Sequence, residues 1–372
     1  MVGFTKPRLI DMIGTTFARY LSLRFGRSVL GVFATMFALI YLLDLVELLR
    51  RSSDARGATT GLMAFLSLLR VPSVAEQMLP FAVLFGGMFA FLNLTRKLEL
   101  VVARAAGVSV WQFLLPPVLV AGFFGLFAVT VYNPLSAVFK QRADRLETRV
   151  FGQTRDNSTD LALWIRQRSI DGQAVIRAER SSDSGTVLSG VVAFVYAPDG
   201  SFSERVEGQR ARLEDGFWDI ENARVQAPGV APEDHKSYLL ATNLTPQQVT
   251  QSFVAPESVP FWTLPKLRDE TERAGLDATA YSLQYQKLLA RPLLFVAMVL
   301  VAASFSLRFF RFGGVAKMVT GGVASGFVLY VATKLVGDLG GAGLLSTPVA
   351  AWSPAVVGSM LGTLVLLHQE DG

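Results

Sequence analysis

The sequence contains no cysteine and only two histidines, His235 and His368, far apart in the chain. Without thiols there is no disulfide and no thiolate-held metal, and two distant histidines make a poor start for a zinc site. No G-x-x-x-x-G-K-[ST] occurs, so no P-loop cradles a nucleotide. Ser/His/Asp catalysis would have to use His235 as its base, and a surface or packing role is the ordinary reading of such a residue. Charge is scarce as well: 17% of the 372 residues are charged, where soluble domains run near about a quarter. No enzyme chemistry, cofactor, metal or nucleic-acid partner is expected.

What fills the chain instead is apolar. Such residues make up 51% of it, and the mean hydropathy is +0.40. That balance belongs to an integral membrane protein with a soluble part. Six stretches approach the roughly 20 apolar residues that a spanning helix needs: 26–46, 74–94, 113–133, 288–307, 318–336 and 348–367. The first begins near Ser28 after a long basic lead, with no small-residue cleavage site behind it. It is therefore expected to be a retained span and not a signal peptide.

Residues 151–262 are of another kind. "TVLSGVVAFVYAPDGSF" gives a β run, a Pro-Asp-Gly turn and a second run, and "ARLEDGFWDIENARV" repeats the logic around Asp215-Gly216. Alternation punctuated by such turns predicts an antiparallel sandwich or roll. The expected fold class is membrane α-helical, six spans with an inserted antiparallel β domain. Its parts are 1–150 with three spans, 151–262 with the strands, and 263–372 with a connector and three more spans.

Basic residues in short loops set orientation. With the N-terminus inside, the inner segments hold eleven: Lys6, Arg8, Arg19, Arg24, Arg27, Arg96, Lys97, Arg104, Arg308, Arg311 and Lys317. The outer ones hold four: Arg50, Arg51, Arg56 and Arg70. Both termini are expected in the cytoplasm and the β domain outside. Within the spans, Gly86, Gly87 and Ala90, Gly322 with Gly326, and Gly358 with Gly362 have the small-residue spacing that lets helices approach closely. They serve either packing inside this chain or contact with a second subunit.

Charges inside or beside the apolar runs call for a reason. Asp44 and Glu47 lie on one face of the first span, with Arg50 and Arg51 one turn on. A carboxylate at bilayer depth costs about 2.5–3.5 kcal/mol on insertion scales. The group is either a paired helix end or the mouth of a polar cavity. Lys334 and Asp338 make a similar pair in the fifth span, and Lys140, Arg142, Arg145 and Arg149 form a basic collar after the third. Solvated helix charge explains the collar; so does an anionic ligand on the outer side, whose phosphates Arg and Lys bind by charge-assisted hydrogen bonds.

The connection "RKLELVVARAAGV", 96–108, carries charge and an apolar face together. As a helix it sets Leu98, Val101, Val102 and Ala105 on one side. It reads as an interfacial helix or as one that docks in a groove on a cytoplasmic protein.

This stretch resembles the coupling helix of the LptF/LptG (YjgP/YjgQ) lipopolysaccharide export permeases, whose pattern is Glu-Leu-x-x-x-x-x-x-Gly. Glu99, Leu100 and Gly107 stand at the matching positions. "VPSVAEQMLPFAVLFGGM" in the second span, "NLTPQQV" at 243–249 and "GFVLYVATKLVGDLG" at 326–340 are similar to the same family, in the same order. "ELVVARAAG" and "NLTP" look more like its LptG branch than its LptF branch. The resemblance implies a β-jellyroll-like periplasmic domain and a permease in the bacterial inner membrane. It also implies an LptF-like second permease, an LptB-like ATPase dimer and an LptC-like bitopic protein as partners, with lipopolysaccharide as substrate. Arg96, Glu99, Leu100, Ala103 and Gly107 would then couple to the ATPase. Asp44, Arg50, Arg51, Arg142, Arg145 and Lys334 would lie near the sugar-phosphate end of the lipid, between the first and fifth spans. The family often has a basic residue three positions before the first-span acid; Tyr41 stands here instead. Two rival classes remain: an ion-coupled transporter relaying through Asp44, Glu47 or Asp338, and a scaffold without a lipid cavity.

Overall fold

The computed structural model describes residues 14–52, 59–151, 163–169, 172–182, 185–245, 255–273, 277–308 and 315–371. In chain order, α1 is Thr15–Ser52, α2 Thr60–Arg96, α3 Glu99–Ala105 and α4 Val110–Phe127. A π-helical turn, Ala128–Tyr132, joins α4 to α5, Asn133–Phe151. Strands β1 to β6 follow (Leu163–Ser169, Gly172–Ser182, Val187–Tyr196, Phe202–Glu214, Phe217–Gln226 and Glu233–Ala241). Helices α6 (Leu264–Arg273), α7 (Thr279–Arg308), α8 (Val315–Gly341) and α9 (Thr347–Asp371) complete the described chain.

Among the described residues, six helical segments are long and apolar enough to cross a membrane: Thr15–Ser52, Thr60–Arg96, Val110–Phe151, Thr279–Ser306, Val319–Gly341 and Thr347–His368. They cover the six apolar runs to within one residue and extend past most of them. The 38 residues of α1 rise about 57 Å at about 1.5 Å each, well over the roughly 30 Å of hydrocarbon. The extra turns come from good helix formers, Ala, Leu and Arg, on either side of the run.

Two compact units divide the described residues. The first draws on Met1–Ala143, Pro260–Trp262 and Leu283–Gly372. Its core packs Leu21, Phe25 and Val29 of α1 against Phe91 of α2, Phe113 of α4 and Phe295 of α7. Phe91 sits 6.3 Å from Phe25 and meets Phe113 edge-on at 5.6 Å, the arrangements that aromatic quadrupoles favour. Gly86 lies against the backbone of Val29, where a Cβ would come within 2.5 Å of the Val29 Cα. Gly322 and Gly326 take the side chains of Met88 and Leu84, and Gly362 meets Leu300. These small residues therefore pack helices within this chain. Burial is uneven: 6% of the most apolar window of α1 and 11% of that of α8 is covered, against 56% for α2 and 61% for α7. Helices α2 and α7 are the interior of the unit, and α1 and α8 leave long apolar faces bare.

The second unit draws on Asp144–Val259 and Thr263–Ser282. Its six strands form one antiparallel sheet in the order β1-β2-β3-β4-β5-β6. The turns are those expected: Gly200 (φ 86°) closes the first hairpin noted in the sequence and Gly216 (φ 92°) the second, conformations that glycine adopts without a Cβ clash. Hydrogen bonds from the Ser201 hydroxyl and amide to Asp199, at 2.6 and 2.9 Å, brace the first turn and hold that carboxyl below its ordinary range. One face is apolar and buried, with Trp218, Ile176, Leu188, Val206 and Ile220 at its centre.

The sheet is rolled. Gln167 of β1 donates to the Ala241 carbonyl at the end of β6 (3.3 Å). Its carbonyl accepts from Thr242 (2.6 Å) and from the Trp218 indole (3.1 Å). Edge strands of a flat six-stranded sheet would stand about 24 Å apart at about 4.8 Å per strand, so this contact requires strong curl. The roll expected from the turns is present, and its described strands follow one another in sequence order.

Candidate functional site

Between α2 and α4 the chain makes two left-handed steps. Leu98 has φ 58° and Gly107 φ 86°, and the seven residues of α3 hang between them. Gly107 explains itself, since a side chain is strained in that region. Ser109 then starts α4 with a capping box: its hydroxyl accepts from the Gln112 amide (3.2 Å), and the Gln112 side chain accepts from the Ser109 amide (2.9 Å). Leu100 is buried in the helical core and anchors α3. Leu98, Val101, Val102 and Ala105 are exposed together, with Arg96 and Gly107 also in the open and Ala103 partly covered. The apolar side read from the sequence is thus a free surface of the chain as it stands.

Glu99 is turned the other way. It accepts from the Tyr20 hydroxyl (2.8 Å) and pairs with Arg24 (3.1 Å), both on α1. Arg24 also donates to Tyr20, and its guanidinium lies 5.6 Å from the centre of that ring. Tyr20 and Arg24, with Arg27, Gly31, Thr35 and Phe89, line a groove of about 780 Å³.

At the other end of α1 the expected charges separate into two groups. Glu47 holds Arg51 (2.7 Å) and Arg50 (3.5 Å) along the helix. Asp44 instead faces Arg70 of α2 (3.8 Å). Lys334 pairs with Asp338 on α8 (3.3 Å), and Arg142 and Arg145 are exposed on α5.

Residues 19–368 match the family described as "Lipopolysaccharide export system permease LptF/LptG". The chain belongs to the LptF/LptG family. It is 23% identical over 316 residues to the lipopolysaccharide export system permease protein LptG of Escherichia coli (strain K12), covering 83% of this chain and 86% of that one. The same values hold for LptG of Escherichia coli O6:H1 (strain CFT073). The six apolar helices with an inserted antiparallel sheet are thus those of a multi-pass permease.

This LptF/LptG chain also has a polar centre that sequence reasoning missed. Glu76 of α2 is buried; it pairs with Arg291 of α7 and accepts from Ser136 and from Asn133 Nδ2 (2.8 Å) on α5. Asn133 in turn accepts from the Phe261 amide (2.9 Å). The π turn beside it leaves the Thr130 carbonyl to the Trp262 indole (3.2 Å), which fits the tendency of such turns to free backbone groups. A signal existed: Glu76 and Arg291 each stand inside an apolar run, and intramembrane charges of opposite sign are candidate partners. Tyr20 and Arg24 had no such signal, because 79 and 75 positions separate them from Glu99.

Proposed function

We propose that the chain is the LptG-type permease subunit of an ATP-driven exporter that draws lipopolysaccharide from the inner membrane and passes it to a periplasmic bridge. The observation that carries this reading is α3, a short helix between two spans that keeps a contiguous apolar side exposed. Such a side fits the groove of a partner in the helix-in-groove mode, and the chain has no P-loop of its own. On this reading ATP hydrolysis belongs to an LptB-like dimer under Arg96, Glu99, Leu100, Ala103 and Gly107. An LptF-like permease covers the bare faces of α1 and α8, and an LptC-like bitopic protein receives the lipid. Residues 1–150 and 263–372 are then the membrane parts, with both termini cytoplasmic, and 151–262 the periplasmic domain.

The lipid enters between α1 and α8. Its phosphates meet the basic residues at the outer ends, Arg50, Arg51, Arg142, Arg145 and Lys334, with Asp44 beside Arg70 shaping the edge. Nucleotide-driven movement of α3 favours a narrowed cavity with lower lipid affinity, which is what displaces the lipid. Acyl chains pass next to the apolar interior of the rolled sheet.

Detergent pull-down of the tagged chain, with mass spectrometry and an ATPase assay, tests the reading. Co-purification of a small ATPase and a second six-span permease, with loss of coupled export in Glu99→Lys, is the expected result. A chain that purifies alone and transports on a proton or sodium gradient would replace it with an ion-coupled carrier.

A further inference from the structure

We propose that Tyr20 and Arg24 are positioning residues that bind the coupling helix to the wall of the α1 groove, so that the two move as one piece. This rests on the reading of α3 as the coupling element. Three observations meet here. First, Leu98 is left-handed at φ 58°, a conformation that a leucine keeps only where its surroundings over-determine it. The fixed points around it are Leu100 in the core and Glu99 bonded to Tyr20 and Arg24 of α1. Second, the Arg24–Glu99 pair is partly buried and backed by the Tyr20 hydroxyl and ring, so it escapes much of the screening that weakens surface pairs. Third, Tyr20 and Arg24 belong to the groove as well, about two to four turns before Gly31 and Thr35 along the same helix. Glu99 therefore reports inward to α1, while Val101 and Val102 remain outward for a partner. A group that fills the groove against Arg24 shifts Glu99, and a partner that pulls α3 shifts Arg24; linkage makes the two effects reciprocal.

The absence of cysteine makes the test direct. Spin labels at Leu30→Cys on α1 and Val102→Cys on α3, both exposed, report the α1–α3 distance in the full chain in nanodiscs. One narrow distribution is expected for the parent. Arg24→Glu and Glu99→Arg should each broaden it, and the combined swap should restore it. Tyr20→Phe, a milder change that preserves packing, should broaden it in part. In the co-purified complex, lipid exported per ATP hydrolysed should fall about tenfold in Arg24→Glu and recover in the swap. A distribution that stays narrow in both single variants overturns the bridge, whatever the complex does. Broadening with an unchanged export ratio overturns its part in coupling. A parent chain that brings no ATPase defeats the exporter reading instead, and the distance measurement still decides the bridge.

Discussion

Replacing Glu76 by leucine removes a carboxylate that accepts from Arg291, Ser136 and Asn133 together. The Glu76 and Arg291 side chains are 7% and 15% exposed, so water cannot take over for the lost partner. Removing one member of a buried pair leaves the other uncompensated, at about 3–5 kcal/mol. Arg291→Leu should cost a similar amount. The double variant should not cost the sum. Ser136 keeps its bond to the Asn133 carbonyl (3.0 Å) and Asn133 keeps the Phe261 amide, which leaves one orphaned amide donor at about 1–3 kcal/mol. The double-mutant cycle should therefore show a coupling of at least about 3 kcal/mol. Unfolding in mixed micelles, followed by tryptophan fluorescence, measures it. Additive losses, or a single-variant loss below about 1 kcal/mol, would refute the argument that this pair is an electrostatic unit.

Gly86→Val should destabilise the α1–α2 packing by about 1–3 kcal/mol through overpacking against Val29, read as a lower thermal midpoint in detergent. Gly107→Val places a β-branched residue at φ 86°, at about 1–2 kcal/mol; faster limited proteolysis between α3 and α4 is the expected sign. Gln167→Leu removes the acceptor of the Trp218 indole N–H and the Thr242 O–H, at about 1–3 kcal/mol for each donor left without one. The near-ultraviolet circular dichroism of the Trp218 environment should change while the far-ultraviolet signal holds.

The spans were legible because each is an apolar run of bilayer length, and the hairpins because Pro-Asp-Gly and Asp-Gly turns announce themselves locally. Gly107 was readable as part of a motif, although only its φ of 86° shows why a glycine is needed there. Partners across the fold were not legible. Asp44 had Arg50 and Arg51 near it in sequence, yet it faces Arg70, because Glu47 occupies those two arginines along the helix. Glu76 and Arg291 are 215 positions apart, and no periodicity connects residues at that separation. The small residues in α2 and α8 fitted two readings, and contacts such as Gly326 with Leu84 favour the internal one.

The rolled sheet has a consequence for how its edges are held. Its first and last strands meet through the amide of Gln167, and among the described residues no backbone ladder joins them. Parting them breaks side-chain hydrogen bonds of about 0.5–1.5 kcal/mol each and leaves every strand pairing intact. Such a fold is a gutter with a clasp, its edges held by side chains and by the buried Ile165 and Leu240. On the proposed function, a branched lipid is laid into it from the side, with its sugars outside, and is not threaded end-on through a closed pipe.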